Sequence, residues 1–280
     1  MLLKNFTQIF TLGPLGTFSD EATKKILKEG VRVNYTGTFA EALTKVTENL
    51  GSAAVVPIEN SVAGTVGQVQ DSLVSNDLII LGEINLLIEY SLLANAELDQ
   101  IEVCFAHPQA LEQSSVFIKN NMGNAQNRFT RSNVDSGIQF LEVVDSESKP
   151  VAAIVPATFA QEYSKWSKES AIQDYKNNTT RFLVVRSRQA DEKFDYLRKK
   201  TSLLIEFQED RSGLLYQLLS VFNLFKINLC RLESRPAKDT PWAYVFYVDF
   251  YNCEDTEACL EVFRFSKFRY KVLGSYDLIK

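Results

Sequence analysis

One histidine and four cysteines are the whole supply of soft metal ligands in this chain of 280 residues. The cysteines (Cys104, Cys230, Cys253 and Cys259) form no CxxC pair, and only His107 could join them. That scatter argues against a zinc site and reads as free thiols in a reducing compartment. No bound metal or organic cofactor is expected. Long uncharged apolar runs are also missing, and none approaches the ~18 residues of a membrane span. The opening Met1–Phe6 lacks the apolar core and small-residue cleavage site of a secretory leader, so a cytoplasmic protein is expected. Excess charge is absent too. A net charge of -5 argues against nucleic acid or an anionic membrane as partner, while a locally positive site for a small anion remains open.

Apolar residues make up 45% and charged residues 23%, the balance of a globular protein long enough for two or three compact units. Short apolar runs alternate with helical patterns. Gln8–Leu12 reads as a strand running into Gly13-Pro14-Leu15-Gly16, followed by a helix with Phe18, Ala22 and Ile26 on one stripe. A strand near Val31–Tyr35 precedes Thr38 and Glu41, a capping box for the helix carrying Phe39, Ala42, Leu43, Val46 and Leu50. Ala53–Val56 reads as a buried strand, and Val66, Val69 and Leu73 mark another helix. Leu78–Leu93 is strand-rich, interrupted by Gly82 and Asn85, and suits a crossing between lobes. Ile101–Phe105, Val151–Val155 and Arg181–Val185 read as further strands, with helices at Pro108 and around Val134, Ile138 and Leu141. Such alternation implies an α/β unit with a mostly parallel sheet.

Beyond Arg186 the pattern breaks. The stretch to Lys200 holds five Lys or Arg, two Asp and one Glu with little periodicity, a charged linker or exposed helix. After it come a strand (Thr201–Gln208), a helix opened by Gly213 with Leu214, Leu218, Phe222 and Phe225 on one face, strands Ile227–Leu232 and Ala243–Phe250, a helix Thr256–Lys267 and a strand Tyr270–Tyr276. That βαββαβ order is ferredoxin-like, an α+β unit.

Five clusters have residue types suited to ligands, and each has a bland reading. Gly13–Ser19 joins a strand to a helix start that attracts anions, or is an ordinary turn with Thr17 or Ser19 as N-cap. Glu59, Asn60 and Ser61 follow a parallel strand at its carboxyl end, a ligand position or an Asx turn. His107 and Gln109 sit at a third junction, either capping or binding a carboxylate. In Asn178-Thr179-Thr180-Arg181-Phe182 an arginine able to grip a carboxylate bidentately adjoins a hydroxyl able to donate a hydrogen bond. In a regular strand Thr180 and Arg181 face opposite sides, so both serve one ligand only if the chain bends or one acts indirectly. Glu233-Ser234-Arg235-Pro236 ends a strand of the smaller unit, and reads alone as a surface loop.

Taken in order, GPLGTFSDEA, VVPIENSVAGTV, AHPQALEQ, IQDYKNNTTRF, GLLYQLL and INLCRLESRP resemble the prephenate dehydratase family over nearly the whole chain. The resemblance implies a two-lobed dehydratase unit over 1–187, similar to type II periplasmic binding proteins. Its lobes fall at about 1–83 with 171–187, and at about 84–170. A linker over 188–199 and an ACT domain over 200–280 follow, and no upstream stretch is left for a fused chorismate mutase. The implied activity is decarboxylative dehydration of prephenate to phenylpyruvate in phenylalanine biosynthesis, with arogenate dehydratase or a non-catalytic ACT-containing sensor as the alternatives. The resemblance marks Thr180 as the catalytic hydroxyl. It places Asn60, Ser61, Glu59, Arg181, Phe182, Thr17, Ser19 and Gln109 about the substrate. It assigns Gly213, Leu214, Leu215, Glu233, Ser234, Arg235 and Pro236 to phenylalanine as allosteric effector, in a dimer or tetramer. Four positions depart from the family's habit: Asp20 and Tyr90 where histidine is frequent, Ser114 where cysteine is common, and Ser212 where proline is usual.

Overall fold

The computed structural model describes residues 6–146, 149–207, 211–237, 244–266 and 268–279. The chain opens with β1 (Gln8–Leu12), α1 (Phe18–Lys24), β2 (Arg32–Thr36), α2 (Phe39–Glu48), β3 (Ser52–Asn60), β4 (Gly64–Thr65), α3 (Gly67–Ser75) and β5 (Leu78–Leu87). Next come β6 (Tyr90–Ala94), β7 (Val103–Ala106), α4 (Pro108–Gln113), α5 (Ser115–Asn121), β8 (Gln126–Phe129), α6 (Asn133–Ser146), β9 (Val151–Pro156), α7 (Ala157–Glu162) and β10 (Ser167–Ser170). β11 (Thr179–Ser187), β12 (Lys200–Phe207), α8 (Leu214–Leu224), β13 (Leu229–Pro236), β14 (Tyr244–Tyr251), α9 (Thr256–Phe265) and β15 (Phe268–Leu278) complete it.

Local chemistry sets these elements. The Thr38 hydroxyl accepts from Glu41 N at 3.1 Å, while the Glu41 carboxylate accepts from Gly37 N at 2.9 Å. These bonds satisfy donors that a bare helix start leaves orphaned, a cap of about 1 kcal/mol. The 3.6-residue stripe of α2 then puts Ala42, Leu43 and Val46 wholly inside. β9 is buried from Val151 to Pro156, as a strand covered on both faces must be.

The strands form two sheets. A five-stranded sheet has the order β10-β6-β9-β7-β8, and a ten-stranded one has β13-β14-β12-β15-β5-β11-β3-β1-β2 with β4 beside β3. β5 and β6 lie in different sheets, so the 78–93 stretch does cross between lobes. The expected lobe boundary at 83/84 falls inside β5, however, and the crossing is at 87–90. Neither interruption breaks the strand, because Asn85 points to solvent and Gly82 fills a position where no side chain fits. The charged stretch 188–199 is neither helix nor strand. It is tied down by Arg188 to Asp77 at 3.0 Å and by Arg198 to Asp277 at 2.9 Å.

The last six elements have βαββαβ order with strands arranged β13-β14-β12-β15, the ferredoxin-like pattern. Of the expected bounds, Gln208, Ala243 and Lys267 lie outside the described residues. This unit is not tethered loosely. β15 pairs parallel with β5 through Asp277 opposite Gly82 and Leu278 opposite Glu83, which joins its four strands to those of the first lobe within the ten-stranded sheet. Glycine permits that approach. A Cβ on Gly82 would lie 2.5 Å from the Ile279 side chain, and one on Gly274 would lie 2.3 Å from the Ile80 carbonyl oxygen. Leu204, Tyr247, Leu273 and Tyr276 then join Ala54, Val56, Ile80 and Leu183 in one buried cluster. At about 1.5–3 kcal/mol per fully buried large side chain, docking of this kind resembles a shared core. Among the described residues no helix is long and apolar enough to cross a membrane.

Candidate active site

A cleft of about 810 Å³ opens between the two lobes. The first lobe contributes Gly13, Thr17, Phe18 and Ser19 from the β1–α1 turn, Thr36 and Phe39, Asn60 from the end of β3, and Thr180 and Phe182 from β11. The second contributes Tyr90, His107, Gln109 and Gln113, and Arg131, Ser132, Asn133 and Asp135 at the start of α6.

At its floor lies a chain of amides ending on one hydroxyl. Asn60 Oδ1 accepts from the backbone N–H groups of Val62 and Ala63 at 3.0 and 2.8 Å, which fixes the amide's orientation. Asn60 Nδ2 therefore faces the other way. It donates to Thr180 Oγ1 at 2.8 Å and to Asn178 Oδ1 at 2.7 Å. Asn178 Nδ2 in turn donates to Gln113 Oε1 at 2.8 Å. Thr180, Asn60, Asn178 and Gln113 are all at most 8% exposed. Since Thr180 Oγ1 already accepts from Asn60, its own proton is directed elsewhere, and the cleft is where it can go. Gln113 Nε2 is buried and has no partner among the described residues, a second donor at the same floor.

The remaining wall is shaped by Asp20, which is 1% exposed. Its carboxylate accepts from Gly16 N at 2.9 Å and Tyr35 Oη at 2.6 Å, pinning the turn that carries Thr17 and Ser19. Thr17 caps α1, accepting from Asp20 N at 3.4 Å, while its hydroxyl proton is used locally on the Pro14 or Leu12 carbonyl. Tyr90 is buried edge-on against Phe18, with ring centres 5.5 Å apart. Burial pushes its phenol well up, a shift that the Asn133 hydrogen bond partly offsets, so it stays neutral. His107 Nδ1 accepts from Gln109 N at 3.3 Å, and burial holds the imidazole below its ordinary value. A neutral ring accepting at Nδ1 carries its proton on Nε2.

Thr17, Ser19, Asn60, Gln109, Thr180 and Phe182 thus line the cleft, and three expected substrate contacts do not. Arg181 points away from it: the pairing of β11 with β5 runs unshifted from Thr179 to Val184, so the side chain after Thr180 emerges on the opposite face. There its guanidinium donates to Glu83 at 2.6 Å, Asp249 at 2.7 Å and Tyr276 Oη at 2.8 Å. Glu59 follows the same alternation on β3, lying 3.6 Å from Arg181 and 3.7 Å from Arg231. Ser61 is spent on backbone, its Oγ accepting from Thr179 N at 2.9 Å. Sequence reasoning included Asn178 in a cluster without giving it a role, and passed over Gln113 and the Arg131–Asn133 turn. Gln109 and Gln113 are four residues apart on one helix, a spacing that already put them on one face.

In the C-terminal unit, Gly213 precedes α8 with φ +84° and open space around its Cα, while Leu214 is buried and Leu215 partly exposed. Along β13 alternate residues face the first lobe. Glu233 contacts the Thr65 hydroxyl and pairs with Arg231 at 3.0 Å, and Arg235 reaches Asp71 at 3.3 Å. Ser234 and Pro236 face outward and are exposed.

The family model for prephenate dehydratase matches residues 9–190. The chain belongs to the prephenate dehydratase family. A curated prephenate dehydratase of Methanocaldococcus jannaschii is 36% identical over 255 residues, covering 89% of each chain. Among solved structures, the prephenate dehydratase of Staphylococcus aureus superimposes with a TM-score of 0.81 at 29% identity, over 96% of this chain and 99% of that one. The Arthrobacter aurescens prephenate dehydratase, solved in complex with L-Phe, gives 0.80 at 28% identity over 96% and 90%. The activity of this chain is accordingly the conversion of prephenate to phenylpyruvate.

Proposed function

We propose that Thr180 assists departure of the ring hydroxyl of prephenate, held in register by Asn60, Asn178 and Gln113. The observation that carries this is the direction of the hydrogen bond between Asn60 and Thr180. An amide that donates to Oγ1 leaves the hydroxyl proton pointing outward and makes it a better donor. As the ring C–O bond breaks, its electron pair leaves with oxygen. The ring carboxylate departs as carbon dioxide, and the C–C pair it leaves behind completes the aromatic ring. The leaving oxygen takes a proton, drawn in net from solvent, to become water. Threonine is too weak an acid to give its proton up beforehand, so its part is a hydrogen bond that strengthens as charge grows on the leaving oxygen.

Two anions enter the cleft, and they need different surroundings. The ring carboxylate becomes neutral, so the apolar wall of Phe18, Phe182 and Ile88 suits it. The pyruvyl carboxylate keeps its charge throughout. With Arg181 turned away, the positive features left for it are Arg131 and the helix starts that line the cleft, those of α1, α4 and α6. Purified protein is expected to turn over prephenate without added metal and to keep its activity in chelator. Parallel assay with arogenate discriminates the nearest alternative: faster turnover of arogenate would reverse the substrate assignment, and no turnover of either would leave a sensor.

The C-terminal βαββαβ unit (200–280) is read as an ACT domain that follows a two-lobed dehydratase unit and a linker over 188–199. Its effector is phenylalanine, taken by Gly213–Leu215 and Glu233–Pro236 in a dimer or tetramer. The Arthrobacter aurescens relative in complex with L-Phe supports this reading. The positive φ of Gly213 lets the backbone start α8 abruptly, with amides exposed to a carboxylate. Phenylalanine is expected to inhibit with a coupling of about 1–3 kcal/mol. Gly213→Val should blunt inhibition while leaving basal turnover in place. Equal inhibition of both proteins, or simple competition with prephenate, would remove the effector assignment.

A further inference from the structure

The two residues that meet in the cleft each have a neighbour in the seam with the C-terminal unit. Thr180 lies opposite Asn60 in the β11–β3 ladder and Arg181 lies opposite Glu59, after which the register slips between Arg181 and Phe182. The first pair faces the cleft, and the second faces β13, β14 and β15. We infer that Arg181 is a positioning residue for the Thr180 hydroxyl, and that the docked C-terminal unit holds it in place.

The hold is stereochemically complete. Arg181 Nε, Nη1 and Nη2 each have a separate acceptor, on β5 (Glu83), β14 (Asp249) and β15 (Tyr276). Each acceptor is itself fixed. Lys200 Nζ donates to both Glu83 oxygens at 2.7 and 2.8 Å. Ser202 Oγ donates to Asp249 Oδ1 at 2.5 Å. Having given its one proton there, Ser202 accepts from the Tyr276 hydroxyl at 2.6 Å. A planar guanidinium gripped on three edges cannot rotate or slide without breaking a charged bond. Its Cα is one peptide from that of Thr180, so the backbone carrying the catalytic hydroxyl inherits the constraint. Two of the three grips belong to the C-terminal unit, and a small shift of that unit would therefore displace Oγ1.

This rests on the reading of Thr180 as the group that assists hydroxyl departure, and the experiment separates the two. Asp249→Asn removes the charge of one grip from a strand remote from the cleft. Turnover should fall roughly 10-fold with KM within about twofold, because Thr180 acts only in the transition state. That is less than the about 10²-fold which a 1 Å misplacement can cost. The decisive measurement is the double variant: in a Thr180→Ala background Asp249→Asn should lower kcat no further. Asp77→Asn is the control. It cuts contacts with Arg188 and Lys271, at 3.0 Å each, in the same seam but at the far end of β5, and should leave kcat as it was. If Asp249→Asn does not fold, Tyr276→Phe, which loses only a hydroxyl, takes its place in every arm. Unchanged kcat in the folded variant overturns the inference. So does an equal loss in Asp77→Asn, or a further loss on top of Thr180→Ala. Near-wild-type turnover by Thr180→Ala alone would instead overturn the reading beneath it.

Discussion

Thr180→Ala is expected to fold as the wild type does and to lose about 10²–10⁴-fold in kcat, the usual contribution of a positioned proton donor. Folding should survive because the change strands little. Asn60 Nδ2 keeps Asn178 as one partner, and its second proton faces a cleft that water can enter. The cost of that loss is about 1 kcal/mol. Turnover should fall because the removed oxygen is the end of a directed chain, with Gln113, Asn178 and Asn60 aligned behind it. Thr180→Ser keeps the hydroxyl and should recover much of the rate, short of wild type, since serine lacks the methyl group that restricts χ1. KM should change little in either variant. Steady-state kinetics with a thermal melt decides the matter: an alanine variant within threefold of wild-type kcat would make Thr180 a turn residue and nothing more.

The fold was legible where periodicity speaks. Thr38 and Glu41 announced α2, Pro108 announced α4, and the βαββαβ order emerged from its alternating strands and helices. The site was legible only in part, because strand alternation hides in a linear motif. Thr180, Arg181 and Phe182 read as one cluster, yet Thr180 and Phe182 enter the cleft and Arg181 leaves it, as do Asn60 and Glu59 on the neighbouring strand. The period-2 rule raised the tension, but choosing a face needed knowledge of what covers the far side. That cover is the docking of β15 on β5, a contact between residues about 195 positions apart that no local pattern encodes. Two of the four departures from the family's habit became intelligible only in three dimensions. Asp20 is a buried anchor for the Gly13–Ser19 turn, and Tyr90 fills the wall against Phe18.

Arg181→Ala is expected to destabilise the protein by about 3–5 kcal/mol, the usual result of removing one partner from a buried ion pair. Lys200 would remain to neutralise Glu83, so the group left exposed to the penalty is Asp249, whose side chain is 5% accessible. Burial alone would push the Asp249 carboxyl up, and the Arg181 and Arg231 guanidiniums more than reverse this, holding it below its ordinary value. The sign of the pH dependence follows. A carboxylate with a depressed folded value contributes stability above its unfolded value of about 3.9, and that contribution is lost as pH falls through the folded value. In the variant the burial penalty is no longer offset by Arg181, so Asp249 takes up its proton at higher pH and the variant recovers stability on acidification. The gap between the two proteins should therefore be widest near neutrality and narrow toward pH 4. At about 2–4 °C per kcal/mol for a chain of comparable size, the neutral-pH melt should drop by at least 6 °C. Arg181→Lys should restore part of this, because an ammonium can meet one carboxylate but not three acceptors at once. A contact between Arg181 and the substrate carboxylate would give the opposite pattern, a raised KM with an unchanged melt. Kinetics and melts on the same preparations therefore distinguish a residue that binds prephenate from one that ties β11 to β5, β14 and β15.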